Sequence, residues 1–90
     1  MIDLIWTWFK KAVPEPTDKN RAVQYGCHLE EVQEMIDTIN DGDLSTSIDS
    51  DWYKKYADTL PVSDPIEFLD SLCDQIVTAV GVAYMMGYDI

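Results

Sequence analysis

The chain is predicted to be all-α, with two long and two short helices in a four-helix-bundle-like arrangement completed by oligomerisation. Three observations carry this. Apolar residues recur at three- and four-residue spacing over residues 18–40 and 65–86. Proline and Asn-Asp-Gly-Asp breaks separate these tracts. No run of residues alternates apolar and polar as a half-buried strand would.

The first short helix is expected over residues 2–12, where Ile2, Ile5, Trp6 and Phe9 share a face. Lys10 and Lys11 suit its C-terminal end. Val13-Pro14-Glu15-Pro16 breaks it into an extended linker. Thr17 or Asp18 is placed to cap a long helix from about 18 to 40. Gly26 sits in its middle at a cost of about 1 kcal/mol relative to alanine, which suggests close approach by another helix or a ligand. Residues 40–43 end it with turn chemistry, and a serine-rich loop follows. A second short helix is expected from Trp52 to Thr59, stopped by Leu60-Pro61. Ser63 or Asp64 caps the last helix, which has Pro65 near its start and Gly87 as its stop. Its stripe of Ile66, Leu69, Leu72, Cys73, Ile76, Val77, Val80 and Tyr84 is the expected core face. The long helices would each measure about 30 Å.

Ninety residues make one domain, residues 1–90. A monomer of this size buries only about 60–65% of its unfolded surface. The apolar stripes are broad for so small a unit, so a homodimer or homotetramer is expected. No apolar run approaches the roughly 20 residues that span a membrane, so no membrane partner is expected. Residues 1–13 carry Asp3 early and lysines late, the reverse of a signal peptide. Cys27 and Cys73 lie in apolar helical patterns and read as buried free thiols in a reducing cytoplasm. The net charge of −11, from 17 acidic and 6 basic residues, disfavours binding a nucleic acid polymer. A nucleotide can still approach such a surface if metal ions bridge the two sets of negative charge.

Chemistry concentrates in His28-Leu29-Glu30-Glu31-Val32-Gln33-Glu34-Met35-Ile36-Asp37 and, later, in Asp70-Ser71-Leu72-Cys73-Asp74. At 100° per residue, Glu30, Glu31, Glu34 and Asp37 fall within a sector of about 120°. Glu67, Asp70 and Asp74 follow i, i+3, i+7 spacing and form a second line. Facing carboxylates repel, and a fold keeps them mainly around a divalent cation. Solvated glutamates on a helix are the commoner case. Asp74 is harder to assign to solvent, because it lies between Cys73 and Ile76-Val77 in the most apolar helix.

The pattern resembles the all-α nucleotide pyrophosphohydrolases, the MazG-like superfamily that includes dimeric dUTPases and phosphoribosyl-ATP pyrophosphohydrolases. That family carries E-E-x-x-E on one helix and E-x-x-D on a later one. Glu30-Glu31-Val32-Gln33-Glu34 matches the first motif in full. Asp74 fits the end of the second, but Ser71 stands where its glutamate would be. Asp70 is one substitute, and Glu67-Phe68-Leu69-Asp70 satisfies E-x-x-D in another register. The proline break and Gln24-Tyr25-Gly26-Cys27-His28-Leu29 look like phage-type members. Such members often continue past the last helix with a basic segment, which implies that this chain is shortened at Ile90 or is a minimal version.

The resemblance implies hydrolysis of a nucleoside triphosphate to a monophosphate and pyrophosphate, with Mg2+, or Mn2+, as cofactor. It implies Glu31, Glu34, Asp70 and Asp74 as metal ligands, with Glu30 and Glu31 as catalytic carboxylates. Asn20, Gln24 and His28 are candidate substrate contacts; a packing or surface role is the alternative for each. Trp6, Trp8 and Trp52 can stack on a base or pack in a core or dimer contact. The Asp37–Asp43 segment is not a calcium loop, since Ile39 and Ile48 would occupy ligand positions. Two other readings compete: a non-catalytic acidic helical module that binds a basic partner, and a family-like scaffold without activity.

Overall fold

The computed structural model describes residues 1–39 and 62–90. Three helices occur among them: α1, Ile2–Ala12; α2, Asp18–Asp37; and α3, Pro65–Met85. The described residues contain no strand, only an isolated antiparallel bridge between Ile39 and Val62. The short helix expected at 52–59, with the loop before it, lies outside the described residues.

Each helix begins and ends for a local reason. At the start of α2 the Thr17 hydroxyl accepts from the Asn20 backbone N–H at 3.1 Å, and Asn20 Oδ1 accepts from the Thr17 N–H at 2.9 Å. This reciprocal cap is worth about 1 kcal/mol. It selects Thr17 over Asp18. Asp64 caps α3 through Oδ1, which accepts from the Glu67 N–H at 3.1 Å. Pro65 follows where its missing N–H does no harm. α3 ends in a Schellman motif: Gly87 has φ +81° and donates to Tyr84 O, while Tyr88 donates to Ala83 O.

α2 stops at Asp37, three residues before the expected end. The Thr38 hydroxyl turns back to Met35 O at 2.7 Å and closes the last turn. Ser63 then grips the same segment, with its N–H and its hydroxyl both donating to Thr38 O, at 2.7 and 2.8 Å. This pins the C-terminus of α2 to the N-terminus of α3.

The core sits at the two ends of the α2–α3 pair. At one end Phe9, Tyr84 and Met85 are buried, with Ile5, Trp6 and Val13 against them. Trp6 meets Tyr84 edge to face at 5.3 Å, and the Tyr84 hydroxyl donates to Val13 O, tying the proline linker to α3. At the other end Ile36 and Ile39 pack with Val32, Met35 and Phe68. Between the two clusters the interface is polar. Gln24 Nε2 donates to Thr78 O at 3.4 Å, His28 Nδ1 lies 2.7 Å from Thr78 Oγ1, and Gln75 Nε2 donates to Ser71 O at 3.2 Å.

This polar layer corrects the expected orientation of the last helix. Its inward side carries Ser71, Val80, Gly81, Tyr84 and Met85, all buried. Ile66, Leu69, Leu72, Ile76 and Val77 are exposed, and so is Cys73, which is not the buried thiol expected. Cys27 is half-buried. The glycine of close approach is also a different one. A Cβ on Gly26 would meet nothing within 4 Å, whereas one on Gly81 would lie 2.5 Å from both Gln24 Nε2 and Phe9 Cζ. All three helices meet at Gly81.

Candidate metal centre

The polar layer continues from His28–Thr78 into a cluster of carboxylates. Glu31 and Glu34, one turn apart on α2, share a face, and Asp74 projects toward them from the inward side of α3. One oxygen from each of the three lies within 4.8 Å of the others. Glu31 and Asp74 are half-buried and Glu34 is exposed. The oxygens around an octahedral magnesium ion lie roughly 3–4 Å apart, so a small side-chain rotation brings this set into range.

Electrostatics and burial both leave the cluster unsatisfied. Glu31 Oε2 is buried and has no hydrogen-bond partner among the described residues. The Glu31 carboxyl is pushed up from 4.5 to about 7, first by loss of hydration and then by the adjacent Glu34 and Asp74 carboxyls. No lysine or arginine ion pair reaches the cluster among the described residues; the pair found there joins Arg21 to Asp18 at 2.6 Å. The donors are all hard carboxylate oxygens, which suit Mg2+ or Mn2+ and do not suit zinc or copper chosen by sulfur or imidazole. An open cavity of about 480 Å³ adjoins Glu34, lined also by Asp37, Thr38, Ser63, Asp64 and Glu67. That is room for a small ligand beside the carboxylates.

The remaining expected site residues are placed elsewhere. Asp70 is exposed and lines a surface depression with Ile66, Glu67, Leu69 and Cys73, outside the cluster. Glu30 is exposed and is not among the converging carboxylates. Ser71 is buried, 3% exposed, on the inward side of α3, so the position where the resemblance expects a glutamate carries no carboxylate. Asn20 is engaged in the α2 cap. Gln24 and His28 tie α2 to Thr78. Thr78 and Gln75, whose roles in the polar layer sequence reasoning missed, carried no motif signal beyond being polar residues in an apolar helix. Trp6 packs on Tyr84, Trp8 is exposed, and Trp52 lies outside the described residues. No helix among the described residues is long and apolar enough to cross a membrane. No family model, curated protein or solved structure matches the chain.

Proposed function

We propose that this protein is a magnesium-dependent nucleoside triphosphate pyrophosphohydrolase, releasing pyrophosphate and a nucleoside monophosphate. The observation that supports it is the convergence of Glu31, Glu34 and Asp74 from two helices, with Glu31 holding a proton near neutral pH. Those three side chains would hold the metal. When bound, magnesium would supply positive charge against the triphosphate and the charge that develops as the anhydride bond breaks. Glu30, exposed and next to Glu31 in sequence, would take a proton from an attacking water. Glu31 shares that role if the metal leaves one of its oxygens free.

The proposed enzyme is a homodimer or homotetramer. Its contact is the outward stripe of α3, where Ile66, Leu69, Cys73 and Ile76 repeat at i, i+3, i+7, i+10 and stand exposed in the single chain. Its mass in solution reads this directly, and a monomer at working concentration removes this part of the reading.

A second reading is favoured by Ser71: the three-carboxylate site binds metal but does not turn over nucleotide. A screen of the common NTPs and dNTPs with pyrophosphate detection, with and without magnesium, separates the two. Release that requires magnesium and falls at least about a hundredfold in Glu34→Gln supports the enzyme. Metal binding without release from any nucleotide supports the inactive scaffold. The absence of both leaves an acidic interaction module.

A further inference from the structure

A second concave site lies at the other end of the helix pair. Its volume is about 370 Å³, and its walls include Trp6, Lys10, Arg21, Tyr84, Gly87 and Tyr88. Ten residues of α2 separate Arg21 from Glu31, about 15 Å along the helix. The chemistry there is the reverse of the carboxylate centre. In a chain of net charge −11 with 6 basic residues, two cations line this one cavity.

Its groups are held in place. Arg21 Nη1 donates to Pro16 O at 3.2 Å and to Met85 O at 3.3 Å, against the C-terminal carbonyls of α3, while its Nη2 pairs with Asp18 at 2.6 Å. Lys10 Nζ lies 5.4 Å from the centre of the Trp6 ring and makes no ion pair among the described residues. The Schellman turn at Gly87 folds Tyr88 back toward the cavity. Trp6 Nε1 is buried without a hydrogen-bond partner among the described residues.

The geometry points to a binding site for a small flat ring that carries one anionic group. The ring fits the aromatic walls and the anion meets Lys10, which no carboxylate pairs among the described residues, while Arg21 is already paired with Asp18. An aromatic carboxylate and a nucleoside monophosphate share this chemistry. Asp89, also on the wall, disfavours added negative charge, so the singly charged carboxylate is favoured over the phosphate monoester, which carries close to two charges at neutral pH. The site stands independently of the metal centre.

The test is an amide and indole NMR titration of the full chain without metal, using 2-naphthoate, AMP, inorganic phosphate and the neutral 2-naphthamide. Trp6→Phe assigns the Trp6 indole signal, and the Gly87 and Tyr88 amides report in parallel. A saturable shift of these signals by naphthoate or AMP supports the site, and whichever of the two binds tighter names the source. Lys10→Gln, a change at an exposed side chain, weakens that binding about fivefold or more. The same shifts persist in Glu31→Gln, which disables the metal centre. No saturable shift with either aromatic anion overturns the proposal. So does an equal response to naphthamide, or to phosphate alone.

Discussion

Magnesium is expected to raise the melting temperature by roughly 10 °C or more near pH 8, at about a hundred times its dissociation constant, and by very little near pH 5. The cause is Glu31. Its carboxyl titrates about 7 in the folded protein against 4.5 when free, because burial and the Glu34 and Asp74 carboxyls disfavour its charge. The folded state therefore binds this proton more tightly than the unfolded state. The resulting stabilisation is fully present below pH 4.5 and is lost as pH rises through about 7. Metal-free protein should lose stability across that window. Magnesium bound by the proposed centre would compete with the proton for the same oxygens, so its protection should grow over the same window and level off above it. Glu31→Gln should flatten both profiles, raising the metal-free melting temperature by about 5 °C while abolishing the magnesium response. Asp74→Asn should also abolish that response. Differential scanning fluorimetry across pH, with and without magnesium, reads all of these. A magnesium shift that ignores pH, or that survives in both variants, would place the ion elsewhere.

Gly81→Ala should lower stability by about 1–2 kcal/mol, a fall in melting temperature of roughly 5–15 °C. Two effects oppose each other there. Alanine is the better helix former by about 1 kcal/mol. The added methyl, however, would lie 2.5 Å from Phe9 Cζ and from Gln24 Nε2. The Gln24 amide can swing away, at the loss of its contact with Thr78 O. The Phe9 ring cannot move as freely, since it is buried in the cluster with Tyr84 and Met85. Overpacking therefore wins. Gly26→Ala is the matched control: it adds a methyl into open space, so helix propensity acts alone and the protein gains up to about 1 kcal/mol. Chemical denaturation of the pair checks both signs. Equal effects from the two substitutions would mean that the three helices do not meet at Gly81.

The residues that could be read from sequence are those with a strong local rule. Capping and turn chemistry narrows the helix starts to Thr17 or Asp18 and to Ser63 or Asp64 and puts the last stop at Gly87; the structure selects Thr17 and Asp64 and keeps Gly87. Asp74 was legible for a different reason: a carboxylate inside an apolar helix demands a partner, and it does face Glu31 and Glu34. The orientation of α3 was not legible. Both of its sides carry apolar residues, and hydrophobicity alone favours burying Ile66, Leu69 and Ile76 over Ser71, Gln75 and Thr78. The inward choice is made by α2, whose Gln24, His28 and Glu31 require polar neighbours, a tertiary constraint that no single helix encodes. The same constraint separates Asp70 from Asp74. They are one turn apart in sequence, yet only Asp74 joins the cluster. Gly26 and Gly81 are alike in sequence, each inside a long helix, and only the packing of α1 against α3 distinguishes them.

The proposed function requires Glu31, Glu34 and Asp74 to bind one divalent ion. The most direct measurement is a Mn2+ titration followed by paramagnetic broadening of amide signals. At substoichiometric Mn2+ the broadening should centre on residues around Glu31, Glu34 and Asp74, spread outward over both helices, and recede when excess Mg2+ is added. It should vanish from that region in Asp74→Asn. Broadening that centres instead on Asp37, Asp64 and Glu67, or that spreads over the acidic surface without a focus, would contradict the account.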